Sequence, residues 1–574
     1  MKHNKVDKLC DKLVKISFEN LPQCIIDLVC DWLFVHEHVR LFQVNRRLHN
    51  VCSLPSTWRT LMFYNEKVCT LEQTRQLIQR NLHNVQRTNA EDIIDLIHES
   101  KLRCINIYTL ELNCAKISNI SPLSTLTKLN TLTISWTKLS DISSLSLLTQ
   151  LSKLDLSCTK LSDISSLSLL TQLSKLNLAS TEISDISSLS TLTQLNTLHI
   201  VNNEISDISA LSTLTKLNVL NLSCTKVSSI SSLSLLTKLS KLDLSVTEVS
   251  SISSLSLLTQ LSELDLNSIE LSDISSLSTL TKLNTLNLSA TEVSSISSLS
   301  LLTQLNTLYI SEIKIFDISS LSTLTKLNTL NLSATEVSSI SSLSLLTQLN
   351  TLYLNDTKIS NISPLSTLTK LNTLDISDTK VSSISSLSLL TQLNTLYLND
   401  TKISNIFPLS TLTKLNTLDI NSTEVSSISS LSLLTQLNML YLNDTKISNI
   451  SSLSTLTKLN TLDISRTKVS DITPLSSLTQ LSKLSLAQNQ ISNISALSTL
   501  NHLYKLNISN TNVSDITSLS SLTQLNTLDL IHTKVSDITS LSTLTQLITL
   551  EIAYTEVSDI TSLSTLSTLI NILR

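Results

Sequence analysis

The 574-residue chain contains no glycine, and it has only six prolines, three tryptophans and three methionines. Without glycine it cannot form the glycine-rich loop that cradles a phosphate in nucleotide-binding sites, and its turns must be built from Ser, Thr, Asn and Asp. Long apolar runs are missing as well. The opening MKHNKVDKLCDKLVKISF alternates charge with single apolar residues, so no secretory signal is expected. No later stretch approaches the roughly 18 apolar residues of a membrane helix. Charge of one sign is not concentrated anywhere. Residues 1–104 carry 15 basic and 12 acidic side chains and residues 105–574 carry 26 and 33, for a net charge of -4. Neither part has the basic face of a nucleic-acid binder. Seven of the nine cysteines (Cys10, Cys24, Cys30, Cys52, Cys69, Cys104, Cys114) precede residue 115 and none forms a C-x-x-C pair. Free thiols in a reducing, cytoplasmic compartment are expected, with no metal site.

What is present is a repeat. LTKLNTLTISWTKLSDISSLSL is followed by LTQLSKLDLSCTKLSDISSLSL, and the 22-residue spacing runs without insertion or deletion from Leu129 through Leu151, Leu173 and Leu195 to Leu547. An imperfect first unit at Ile107 brings the count to 21 repeats. A fixed period in this range is a solenoid signature. The apolar positions of one unit are Leu129, Leu132, Ile134, Leu139, Ile142, Leu145 and Leu148. Alternation at 132 and 134 suits a short strand, and the later spacing of three suits tight turns or 3₁₀ segments. Each side chain contributes roughly 1.5 to 3 kcal/mol only when buried. The units must therefore stack on one another, with their strands aligned in a parallel sheet.

This L-x-x-L-x-L/I-x-x-(N/T)-x-I/V-S-D-I pattern resembles the 22-residue leucine-rich repeats, most closely those of bacterial internalins, and residues 470–503 come nearest. The resemblance implies an α/β solenoid, a right-handed superhelix with its parallel sheet on the concave face. It departs where that family usually has Asn after the strand. Asn stands there only at Asn203 and Asn489, Thr fills sixteen units, and Ala115, Ile269 and Ile313 fill the rest. A Thr hydroxyl offers one donor where Asn offers two. A weaker ladder is expected, with local loosening at Ile269 and Ile313.

In such families the residues beside the strand leucines face partners on the concave side. The central position reads Thr133, Asp155, Asn177, His199, Asn221, Asp243, Asp265, Asn287, Tyr309, Asn331, Tyr353, Asp375, Tyr397, Asp419, Tyr441, Asp463. From Tyr309 onward a two-unit alternation of 44 residues sets in, with LNTLYLNDTKIS at 349 and 393. Tyr353, Tyr397 and Tyr441 form a row, with Asp356, Asp400 and Asp444 beside them. Tyrosine is enriched at interface hot spots and acidic companions select a basic partner, so this stripe is the candidate surface for a protein substrate. The competing reading is a duplicated block whose surface came along unselected. The recurring Asp141, Asp163, Asp185 and Asp207 are read as turn caps, not a cation site. His199, His502 and His532 stand alone, without metal-ligand spacing. No nucleophile–base arrangement stands out, and neither G-x-S-x-G nor H-E-x-x-H occurs. The chain is expected to be non-catalytic and to need no cofactor.

The first hundred residues differ from the repeats. A tail (1–16) precedes SFENLPQCIIDLVCDWLFVHEHVRLFQVNRRLHNVCSLPSTWRTLM at 17–62, where Pro22 suits the first turn of a helix. Ile25, Ile26, Val29, Trp32 and Leu33 share one helical face. This stretch resembles an F-box, the three-helix module that docks on the adaptor of cullin-based ubiquitin ligases. Leu21, Pro22, Leu33, Val44, Trp58 and Leu61 occupy its signature places, Asn45 and Leu48 depart from it, and His38-Val39 replaces the usual Leu-Leu. The resemblance implies a small all-α module whose named residues contact a ubiquitin-ligase adaptor. The alternative is a plain helical cap on the solenoid. Residues 63–104 read as two helices, a connector and cap, the second started by Thr88-Asn89, ahead of the repeat domain at 105–574. The function expected is that of a ligase subunit which holds a protein substrate on its repeats. A cytosolic scaffold, or an internalin-like microbial effector acting in a host cytosol, are the alternatives.

Overall fold

In the computed structural model of the protein the described residues are 61–62, 84–86, 107–113 and 117–573. They belong to two compact units, Met1–Glu270 and Leu271–Arg574. Three-residue strands recur every 22 residues from Thr109–Glu111 to Glu263–Asp265 in the first unit and from Thr285–Asn287 to Asn571–Leu573 in the second. Within each unit successive strands pair in parallel at an offset of one repeat, as Lys153↔Lys175 and Tyr353↔Asp375 illustrate. Each unit is a solenoid.

The local chemistry explains why one repeat folds this way. In the unit from Leu129 the strand Thr131–Thr133 sends Leu132 inward, and the chain turns after Ile134. It then returns through a 3₁₀ turn, Ser143–Leu147. Side chains three apart eclipse in such a turn, so Ile142, Leu145 and Leu148 all point into the core. Their backbone is tied at the same spacing: Leu145 N–H donates to the Ile142 carbonyl at 2.9 Å and Leu148 N–H to that of Leu145 at 2.9 Å. All seven apolar positions expected from the spacing are buried. The turn aspartates cap as anticipated. Asp141 Oδ1 accepts the Ser143 N–H at 2.8 Å, and Asp163, Asp185 and Asp207 repeat the contact. That backbone donor holds the Asp141 carboxyl below its ordinary value.

The absence of glycine leaves a mark in every full repeat. One non-glycine residue just after the strand adopts the left-handed conformation, from Trp136 (φ 59°) through Val246 (φ 54°) and Asp356 (φ 53°) to Tyr554 (φ 57°). Left-handed backbone costs an L-residue roughly 1–2 kcal/mol, and this cost recurs along the array. It is offset by inter-repeat pairing, since Val246 N–H donates to the Asn267 carbonyl at 2.9 Å.

The Asn-to-Thr exchange has a specific consequence. Asn203 Nδ2 donates to the Leu178 carbonyl of the preceding repeat at 3.0 Å and to that of Val201 at 2.9 Å, and its Oδ1 accepts the Thr181 hydroxyl at 2.6 Å. Thr159 and Thr335 donate only to the carbonyl three residues earlier, Leu156 and Leu332, each at 2.7 Å. Thr closes its own turn, whereas Asn also ties two repeats together. At Ile313 the ladder stays closed, with Glu312 N–H donating to the Ser333 carbonyl at 2.9 Å. Ile269 and Ile313 are 3% and 2% exposed and add apolar burial in place of the polar tie.

Among the described residues two short strands precede the array. Leu61–Met62 pairs in parallel with Asn84–Gln86, which pairs in turn with Thr109–Glu111. The sequence reading placed Leu61 at the end of an all-α module and Asn84–Gln86 in a helical connector; these five residues are strands instead. The first repeat strand offers unpaired edge N–H and C=O groups, and pairing extended chain against that edge satisfies them. Leu21, Pro22, Leu33, Val44 and Trp58 lie outside the described residues.

Candidate functional site

The central strand position of the second unit faces away from the leucine core and is half-buried. From Thr351–Tyr353 to Thr461–Asp463 it alternates strictly in register: Tyr353↔Asp375, Asp375↔Tyr397, Tyr397↔Asp419, Asp419↔Tyr441 and Tyr441↔Asp463. Tyr309 keeps the 44-residue spacing, but Asn331 and not an aspartate separates it from Tyr353. The companions expected beside the tyrosines, Asp356, Asp400 and Asp444, are exposed at the left-handed turn position three residues on. Asp378 joins them there, at φ 52°.

The tyrosines stand out in the sequence, whereas Asp375, Asp419 and Asp463 gain their importance only from the structure. The signal was present as the two-unit alternation of the central position. Each of these carboxylates uses one oxygen to hold its own turn. Asp375 Oδ1 accepts from Ser377 N at 3.0 Å and from its hydroxyl at 2.6 Å. Asp419 Oδ1 accepts from Asn421 N at 3.0 Å and Nδ2 at 2.7 Å. Asp463 Oδ1 accepts from Ser465 N at 2.9 Å and from its hydroxyl at 2.6 Å. The Oδ2 atoms accept nothing among the described residues.

In the first unit two aspartates at the same position are closed. Asp155 Oδ1 serves Ser157 while its Oδ2 accepts from Asn177 Nδ2 at 3.0 Å, and Asp243 Oδ2 accepts from Asn221 Nδ2 at 2.9 Å. His199 stands between Asn177 and Asn221, and burial lowers its pKa against the pull of Asp155 and Asp243. The second oxygens of Asp155 and Asp243 are spent internally; those of Asp375, Asp419 and Asp463 are open.

Electrostatics mark the stripe as acidic. Burial, then Asp375 and Asp419, push the Tyr397 hydroxyl above its ordinary value, and burial, then Asp419 and Asp463, do the same at Tyr441. Burial raises Asp419, with Asp400 and Asp375 adding to it, while the hydrogen bonds from Asn421 oppose the rise. Asp378 is raised by burial and by Asp400, Asp356 and Asp375. Arg466 approaches Asp444 at 3.7 Å on the exposed edge. The hydroxyls of Tyr353 and Tyr397 have no partner among the described residues, and that of Tyr441 has only the Met439 sulfur at 4.0 Å. Among the described residues no group of His, Cys, Asp and Glu could hold a metal ion, and no helix is long and apolar enough to cross a membrane.

A model described as leucine-rich repeats (2 copies) matches residues 171–213, 193–235, 347–389 and 435–477. The crystal structure of an internalin, InlF from Listeria monocytogenes str. 4b F2365, is 36% identical. The match covers 50% of this chain and 86% of that one, with a TM-score of 0.50. The chain belongs to the leucine-rich repeat family. Its repeats are internalin-like. The leucine-rich repeat fold is shared at lower identity by the plant peptide hormone receptor RGFR1 in complex with RGF2 (20% identical, 81% of this chain and 89% of that chain, TM-score 0.56). It is shared also by a leucine-rich repeat protein of Leptospira interrogans (20%, 68% and 92%, TM-score 0.53). No curated protein matches the chain.

Proposed function

We propose that this leucine-rich repeat protein is a non-catalytic adaptor that holds a protein partner on the tyrosine and aspartate stripe of its second unit. One observation carries this reading. Asp375, Asp419 and Asp463 each keep an oxygen free beside tyrosines of which Tyr353 and Tyr397 have no hydroxyl partner among the described residues, whereas Asp155 and Asp243 of the first unit bond to Asn177 and Asn221. A row of rigid aromatics with uncommitted polar tips gains contact area on binding at small entropic cost.

The role assigned to the bound partner is ubiquitin transfer by other subunits. It rests on the F-box-like residues Leu21, Pro22, Leu33, Val44, Trp58 and Leu61, and on them alone. The repeat array then supplies proximity and orientation without a reacting group. The chain acts in the cytoplasm, which for a microbial or viral effector is the host cytosol. A leucine-rich repeat scaffold without a ligase is the second reading, favoured by Leu61 lying in a strand paired with Asn84–Gln86. Purified ligase adaptor mixed with the full chain decides between them. The first reading expects a stable complex that is lost when Leu21→Ala and Pro22→Ala are combined; no complex, or one indifferent to that change, leaves the scaffold.

A further inference from the structure

The stripe has a period as well as a charge, and the period selects a ligand shape. Neighbouring strands of a sheet lie about 4.8 Å apart, so aspartates on alternate strands recur at roughly 9.6 Å. Asp375, Asp419 and Asp463 therefore present three free carboxylate oxygens in line across the strands, and Tyr353, Tyr397 and Tyr441 interleave them.

Extended polypeptides differ in how they can match that spacing. A β-strand ligand shows one face every second residue, about 6.6 Å, and falls out of step at the first interval. An α-helix returns to the same face after seven residues, about 10.5 Å, and drifts roughly 1.8 Å over two intervals. A polyproline II segment returns after three residues, about 9.3 Å, and drifts only about 0.6 Å over the same distance. Its preformed backbone also loses little entropy on docking against aromatic rings.

The choice of cation follows from the carboxylates. Oδ1 of each is committed to its own turn, which leaves a single acceptor. A guanidinium fork would leave one prong unused there, while a compact ammonium needs only one oxygen. Tyrosine rings on both adjoining strands at Asp375 and Asp419, and on one at Asp463, whose other neighbour is Ser485, give that ammonium a second attraction. We infer that the second unit binds a polyproline II segment of a protein partner that carries lysine at every third position, running across the strands with its lysines on Asp375, Asp419 and Asp463. This deepens the protein-binding reading above and depends on it.

The test titrates the full chain, at about 0.15 M salt, with three synthetic proline-rich peptides. Each carries the same number of lysines, placed at every second, every third or every fourth position. The period-three peptide is expected to bind about tenfold more tightly than the other two, the amount three exposed ion pairs can supply together. Combining Asp375→Asn, Asp419→Asn and Asp463→Asn keeps the Oδ1 acceptor of each turn and removes the charge. That variant is expected to fold with an unchanged circular dichroism spectrum and to lose the preference. Equal binding of the three peptides by the wild type overturns the inference, as does a preference that survives the asparagine exchange. The two readings fail separately. If Tyr353→Ala, Tyr397→Ala and Tyr441→Ala together abolish binding of an identified partner while the peptides show no preference, the surface stands and the ligand class falls. If that partner still binds, the surface itself is wrong.

Discussion

Replacing Val246 by asparagine should stabilise the protein, which is an unusual expectation for the loss of an aliphatic side chain. Val246 is the β-branched member of a row of left-handed residues, at φ 54°. For a branched residue this conformation is a genuine outlier, and relieving it is worth roughly 1–2 kcal/mol. Asparagine tolerates the conformation and already occupies the same place at Asn202 and Asn510, both at φ 54°. Against the gain stands lost burial. Val246 is 49% exposed, so about half of a valine's roughly 1.5 kcal/mol is forfeited. The net expectation is about 0.5–1 kcal/mol of added stability. Because a repeat array need not unfold in one step, the appropriate assay is amide hydrogen exchange. The Val246 N–H, bonded to the Asn267 carbonyl, should exchange about two- to fivefold more slowly in Val246→Asn. The reciprocal Asn510→Val should accelerate exchange around residue 510. Unchanged or faster exchange in Val246→Asn would refute the claim that the array stores strain at this position.

Asn489→Ala should cost about 1–3 kcal/mol, because the Thr467 amide and hydroxyl and the Ile464 carbonyl lose a shared partner. Thr511→Ala removes one bond within its own turn and should cost about 1 kcal/mol or less; equal losses in urea titrations of the two variants would contradict the assigned bonding. The turn aspartates predict acid sensitivity of a definite sign. Hydrogen bonds from Ser143, Ser319 and Thr539 hold Asp141, Asp317 and Asp537 below their ordinary pKa. Their contribution is therefore complete above the unfolded-state value and is lost as pH falls through the folded-state one. Asn at these three positions should flatten the acid limb of a thermal-midpoint profile, and an unaltered limb would count against the capping role. Asp378 and Asp419, raised by burial, act in the opposite direction, becoming less costly as they protonate.

The core is legible in the sequence. Leu129, Leu132, Ile134, Leu139, Ile142, Leu145 and Leu148 could be assigned inward because strand and 3₁₀ turn have fixed side-chain periods, and an uninterrupted repeat leaves no freedom in register. The turn role of Asp141 was legible for the same reason, since its partner lies two residues away. The tyrosine row was also visible, but only as a pattern. Choices that depend on a neighbour 22 residues distant were not. Nothing in the residue type reveals that Asp155 bonds Asn177 while Asp375 leaves an oxygen free, or that Thr159 folds back on its own strand where Asn203 reaches across. Nor does composition tell which residue of a glycine-free turn takes the left-handed backbone. Leu61–Met62 and Asn84–Gln86 joined strands because a sheet edge offered them hydrogen-bond partners, and local propensity carries no record of that edge. Periodicity alone determines which face of each repeat is buried, because it acts within one turn of chain. Which polar groups remain open to a ligand is decided in the tertiary structure, because each is satisfied or left free by the repeat stacked beside it.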